Sequence, residues 1–201
     1  MSETTELTTA TAETRASFSR MDESSADDWA IINKHSKPYG RQLASRVLDH
    51  LRLLENDHGG FAVSRMEHSL QTATLAENAG KDEEYIVCAL LHDIGDTLGS
   101  SNHADIAAAI LKPFVSDENH WIVEHHGIFQ GYYFFHHLGL DRNMRDQFRD
   151  HAYFDACAEF CRLDQAAFDP DFVSKPLEHF IPMVERVFAR PKRSIYLREA
   201  S

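Results

Sequence analysis

Six histidine and aspartate side chains fall at predicted helix ends or inside apolar stretches: His68, His92, Asp93, His103, one of His125 and His126, and Asp164. Neutral imidazole and carboxylate are metal donors, and together they suit iron, manganese or zinc rather than soft copper. His92 and Asp93 are adjacent in "LLHDIGD", where an apolar run ends. Neighbours on a helix diverge by about 100°, so the imidazole can serve one ion while the carboxylate bridges to a second. Four imidazoles and two carboxylates exceed the usual four-donor set of one ion and suit two. Such a pair can lower the pKa of water for hydrolysis or handle O2. The His-Asp dipeptide alone does not choose between them.

Donors from separate segments converge when helices pack in a bundle, and the chain reads as all-α. A polar, Thr/Ser-rich tail covers residues 1–24, and one helical domain covers 25–200. Its N-terminal helices occupy 25–56 and its metal-binding core 57–190. A first helix spans about Ser25–Lys34, and Pro38 opens a second with Leu43, Val47, Leu51 and Leu54 on one face. His58-Gly59-Gly60 breaks it. A third runs from about Val63 to Asn78. Asp82 caps "EEYIVCALLHD". Gly95, Gly99, Ser100 and Ser101 make a loop, and Asn102 caps "HADIAAAILK". Ser116 caps "DENHWIVEHH", which Gly127 stops. A polar helix near Arg142–Arg149, one from about Tyr153 to Ala167, and one opened by Pro176 complete the chain.

The bulk numbers exclude some partners. Twenty Lys and Arg against 32 Asp and Glu give a net charge of −12. A nucleic-acid surface needs a basic stripe, and none is present. No apolar run reaches the roughly 18–20 residues of a membrane span, and no signal-peptide core is visible. Cys88, Cys157 and Cys161 are odd in number, with no Cys-x-x-Cys spacing. Buried free thiols and a cytoplasmic location are the expectation.

The pattern of His68, His92-Asp93 and Asp164 resembles the HD-domain superfamily of helical metalloproteins. "HGGFAVSRMEHSLQTATLAENAG", "ALLHDIGD", "SNHADIAAAIL", "EHHGIFQGYY", "CRLDQAAFDP" and "PLEHF" are similar, in order, to HD-domain oxygenases of organophosphonate breakdown, which are related to inositol oxygenases. The likeness runs from about Asp57 to Val187. It implies two iron ions in a mixed-valent Fe(II)/Fe(III) state and O2 as co-substrate. The implied ligands are His68, His92, Asp93, His103, His126 and Asp164, with Asp93 as the bridge. His126 is preferred over His125 because "HGIFQGYY" aligns with a His-led segment. His92 and Asp93 act catalytically through the metals.

Departures from the family pattern bear on the substrate. Branch members acting on a primary amine carry a glutamate where Phe61 stands here. A phosphonate-contacting lysine corresponds to Gln130, and a frequent histidine to Asp96. An aromatic ring cannot salt-bridge a primary ammonium, but it can face a quaternary one by cation–π attraction. The implied substrate is a small organophosphonate, 1-hydroxy-2-(trimethylamino)ethylphosphonate or a close relative. Its oxidative C–P cleavage would give phosphate and glycine betaine. The alternatives are the same reaction on 2-amino-1-hydroxyethylphosphonate, or metal-dependent phosphoester hydrolysis. Candidate substrate contacts are Arg65, Phe61, Asp96, Gln130, His58 and Tyr133. Arg65 lies one turn before His68, where its planar fork could hold a phosphonate oxygen. Glu67 and Glu124 flank presumed ligands and are candidate partners for imidazole N–H groups.

Overall fold

A computed structural model describes residues 15–197. The expected tail at 1–24 therefore lies partly outside the described residues, as does the end of the domain. Among the described residues the secondary structure is helical, with no strand. They divide into two compact units with a boundary between Leu43 and Ala44.

The first unit contains α1 (Ala26–Arg41). Ser25 caps it, with Asp28 returning the bond to the Ser25 N–H, which closes a capping box. Pro38 was expected to open a second helix. It lies instead inside the last turn of α1, which ends three residues later.

The second unit begins in α2 (Leu43–Leu51) and continues through α3 (Arg65–Asn78), α4 (Glu83–Leu91), α5 (Asp96–Gly99), α6 (His103–Leu111), α7 (Asp117–Phe134), α8 (Phe154–Asp164) and α9 (Leu177–Phe188). α4 is central. Tyr85 through Leu91 are all buried, so this helix is apolar on every side. It packs against α3, α7 and α9, while α7 packs against α6 and α8. α9 supplies a single apolar stripe of Leu177, Phe180, Val184 and Phe188. The core gathers Leu51, Leu90, Leu91, Ile94, Leu111, Ile122, Phe129, Phe160 and Phe180, each essentially inaccessible to water.

Polar side chains start the helices that carry the donors. Ser64 caps α3 and forms a capping box with Glu67. Glu67 therefore holds the helix start instead of an imidazole. Asp82 caps α4 and Ser116 caps α7 through the N–H groups of Tyr85 and Asn119.

Three expectations are corrected here. Gly127 does not stop α7, which runs on to Phe134. A mid-helix glycine costs only about 1 kcal/mol, and packing on α6 and α8 outweighs it. The segment read as a loop after Asp96 contains the short helix α5. The polar helix expected near Arg142–Arg149 is a short 3-10 turn, Met144–Phe148.

Candidate metal centre

His68 is the fourth residue of α3, so the capping box at Ser64 fixes its height. His92 caps α4 and keeps helical backbone angles, and the turn continues as the Asp96 N–H donates to the Asp93 carbonyl. The helical divergence sends His92 into the core, 1% exposed, while the Asp93 carboxylate turns to the cavity, 15% exposed. His103 is the first residue of α6, His126 is buried mid-way along α7, and Asp164 ends α8.

The six side chains meet as two clusters joined by one carboxylate. In the first, His68 Nε2 lies 3.0 Å from Asp164 Oδ1 and 3.5 Å from Asp93 Oδ2. His92 Nε2 lies 3.5 Å from Asp164 Oδ1 and 3.4 Å from Asp93 Oδ2. In the second, His103 Nε2 and His126 Nε2 lie 3.3 and 3.2 Å from the other oxygen of the same carboxylate, Asp93 Oδ1. His126 also falls within 4.8 Å of the His92 and Asp93 donors. The oxygen-by-oxygen distances assign it to the second cluster with His103.

The imidazole hydrogens are settled by their partners. His68 Nδ1 faces the Ala167 carbonyl at 2.9 Å, His92 Nδ1 the Ala89 carbonyl at 2.8 Å, His126 Nδ1 the Val123 carbonyl at 2.7 Å, and His103 Nδ1 the Ser100 carbonyl at 3.2 Å. A carbonyl only accepts, so each neutral ring carries its hydrogen on Nδ1 and presents a lone pair at Nε2. Those lone pairs point at one another: His68 and His92 Nε2 are 3.1 Å apart, and His103 and His126 Nε2 are 3.2 Å apart. Two such nitrogens beside carboxylates are held together by a positive charge between them, a proton or a metal ion. Donors about 2.1 Å from one ion, at angles of 90–110°, stand about 3.0–3.4 Å apart. The observed spacings match, so the residues fit two cations.

The electrostatics agree. Burial pushes the Asp93 carboxyl up, but His92, His126 and His68 outweigh it and hold the group well below the usual carboxylate range. Asp164, opposed by burial in the same way, is held down by His92 and His68. Burial lowers His68, yet Asp164 and Asp93 reverse it and raise the imidazole. Both carboxylates are therefore anionic, as ligands must be.

The clusters open onto a cavity of 790 Å³. Phe61, Arg65, Asp96, Gln130 and Tyr133, proposed from the sequence as substrate contacts, all line it. His58 does not. Gly59 and Gly60, at φ +51° and +92°, turn the chain, leaving His58 exposed and delivering Phe61 to the cavity. His125 is turned away from the clusters, stacked on Trp121 at 4.1 Å with Nδ1 on the Trp121 carbonyl. Glu124 lines the cavity but pairs with His125. Arg65 and Asp96 are bonded to each other, and Arg65 Nε also meets Asp57 at 3.1 Å.

Sequence reasoning missed Phe168. Its ring stacks on His68 at 4.2 Å and meets Phe61 at 5.0 Å, forming the apolar wall beside the first cluster. The "AAFDP" stretch carries no periodic signal, and only the turn after α8 brings that ring to α3. Cys157 and Cys161 are free and buried, as expected. Their thiols donate to the Ile122 and His126 carbonyls of α7.

Residues 65–158, which carry five of the six donors, match the family profile described as HD domain. A curated relative, the [1-hydroxy-2-(trimethylamino)ethyl]phosphonate dioxygenase (glycine-betaine-forming) of Leisingera caerulea, is 29% identical over 163 residues, which cover 66% of this chain and 83% of the relative. Together the two similarities support the HD-domain phosphonate oxygenases as the family of this chain. No helix among the described residues is long and apolar enough to cross a membrane.

Proposed function

We propose that this protein is an O2-dependent enzyme that cleaves the C–P bond of a 1-hydroxy-2-(trimethylamino)ethylphosphonate-like substrate, using two iron ions held by His68, His92, Asp93, His103, His126 and Asp164. The observation that carries this reading is the division of the Asp93 carboxylate, one oxygen toward each cluster. The likeness to a trimethylaminoethylphosphonate dioxygenase favours O2 chemistry over hydrolysis.

Bound in a mixed-valent state, the irons would supply O2 activation and Lewis acidity toward the substrate hydroxyl and phosphonate oxygens. The reaction balances without an external reductant. The carbon bearing hydroxyl and phosphorus becomes a carboxylate, its bonds to hydrogen and phosphorus break, phosphorus leaves as phosphate, and one O2 accepts four electrons.

The chain's own residues do the rest. His92 and Asp93 act through the ions, and Asp93 keeps the two centres in fixed relation. Arg65 is the one lysine or arginine among the described residues that line the cavity, one turn before His68. It meets the phosphonate charge. The lining also holds Asp93, Asp96, Asp105, Glu124 and Asp164. With Asp93 and Asp164 engaged by the ions and Asp96 by Arg65, the carboxylates left in the lining are Asp105 and Glu124, which favour a substrate with a cationic tail. Phe61 and Tyr133 face that tail, and a cation over an aromatic face gains about 0.5–2 kcal/mol. Phe168 and Ile128 exclude water from the reacting carbon.

The test is stoichiometry. Iron-loaded protein given the quaternary substrate and O2 should release one phosphate and one glycine betaine per O2 consumed. Phosphate release from phosphoesters with Mn2+ or Mg2+ and no O2 requirement, without C–P cleavage, would replace this reading with a hydrolase.

A further inference from the structure

We propose that Asp96, held by Arg65, is the positioning residue for His103 and so secures the second metal centre. The inference rests on the two-centre reading above.

His103 is the least restrained of the four imidazoles. Its side chain is 27% exposed, against 4% for His68, 1% for His92 and 3% for His126. It stands at the first position of α6, where Asn102 makes no side-chain capping bond. Its Nδ1 contact to a carbonyl, 3.2 Å, is the longest of the four. A ligand on a helix end with one long hydrogen bond needs further support.

Asp96 stands where that support would come from. Its carboxylate is only 6% exposed, and Oδ1 lies 3.6 Å from His103 Nδ1. Oδ2 takes the Arg65 guanidinium. Its main-chain carbonyl accepts the Ser100 hydroxyl at 3.1 Å, next to the carbonyl that receives His103 Nδ1. The preceding residue leaves no slack: a Cβ on Gly95 would lie 2.3 Å from the His103 carbonyl oxygen and 2.8 Å from its Cα. The turn that presents Asp96 is thus pressed against the backbone of the ligand itself.

With the His103 Nδ1 hydrogen on the Ser100 carbonyl, the Asp96 carboxylate 3.6 Å away confines the ring from behind, and a group in that position orients a metal-bound imidazole. Arg65 sits one turn before His68 on α3, so its bond to Asp96 ties the first cluster's helix to the second cluster's ligand. With Asp96 neutralised by Arg65, its work is geometric, and the cationic end of a substrate is left to the aromatic wall.

The experiment is an anaerobic Fe(II) titration of the metal-free full chain, without substrate, reading bound iron per chain and the affinity of each step. Wild type, Asp96→Asn, Arg65→Gln and Asp57→Asn are compared, and circular dichroism with melting of the metal-free forms confirms folding. The wild type should bind two ions. Asp96→Asn should keep the first at wild-type affinity and bind the second about 10- to 100-fold more weakly. Arg65→Gln, which leaves the Asp96 carboxylate unheld, should weaken the same step. Asp57→Asn removes only the more exposed partner of Arg65 and should keep both ions. Wild-type second-ion affinity in both Asp96→Asn and Arg65→Gln would overturn the proposal, as would loss of both ions together from a folded variant. A single ion in the wild type would instead overturn the two-centre reading on which the proposal stands.

Discussion

Gly95→Ala should weaken the second metal centre by steric force alone. Gly95 has φ −70° and ψ −17°, angles that alanine adopts without strain, so the backbone conformation is not at issue. The obstacle is space. The added Cβ would fall 2.3 Å from the His103 carbonyl oxygen, with the His103 Cα and carbonyl carbon at 2.8 and 2.9 Å. All three are backbone atoms, which cannot swing aside as a side chain can. Restoring ordinary contact requires the start of α6 to retreat by about 1 Å. Overpacking of this kind costs about 1–3 kcal/mol. For a chain of this size that is a fall in Tm of about 2–12 °C. The same 1 Å is large against the tolerance of about 0.2 Å on metal–ligand distances, so second-ion affinity should fall while the first ion is retained. Calorimetry of the metal-free protein and Fe(II) titration measure the two effects. A Tm within 1 °C of wild type together with unchanged binding of both ions would refute the reasoning.

Further outcomes follow from the same geometry. His126→Ala should lose second-site iron, whereas His125→Ala, which removes a ring stacked on Trp121, should lower Tm but keep metal content, as read by iron analysis of the purified variants. Phe61→Glu should shift preference from the trimethylated toward the primary-amine substrate, seen as a fall in the ratio of their kcat/KM values; an unchanged ratio would reject the aromatic wall as an ammonium surface. Glu84 accepts from the Ser116 N–H at 2.6 Å and from Asn119 at 2.9 Å and pairs with Lys192; burial pushes its carboxyl up, but these partners bring it down to about 2. Because the folded value is depressed, its contribution is present above the ordinary value of 4.5 and is lost as pH falls from there to about 2. Glu84→Gln should therefore cost about 1–2 kcal/mol at pH 7, with the difference shrinking through that window in urea melts at successive pH values.

How much of this was legible in the sequence depended on the range of the interaction. Caps are local, and Asp82 and Ser116 announced their helices correctly because each accepts from a backbone N–H three residues on, whereas Asn102 precedes α6 without a side-chain capping bond. Gly127 and Pro38 misled because both are absorbed within helices, where the neighbouring packing and turn decide the outcome. The six donors were visible as residue types, and the structure draws them into two clusters from five segments. The choice of His126 over His125 came from the motif alignment; in the structure it is His126 that faces Asp93, while His125 stacks on Trp121. The partnership of Arg65 with Asp96 spans 31 residues and two helices, and no spacing rule reveals it. Phe168 escaped for the same reason, since its place against His68 depends on the turn after α8.

The central claim is a pair of ions joined by Asp93, and the most direct measurement is electron paramagnetic resonance of the full chain. The protein is loaded anaerobically with Fe(II), oxidised by less than one equivalent and frozen with and without a 1-hydroxyphosphonate. The account predicts two irons per chain and a coupled mixed-valent signal that changes when the hydroxyphosphonate is added and is absent from His103→Ala and Asp93→Ala. One iron per chain with only an isolated ferric signal, indifferent to those substitutions, would contradict it.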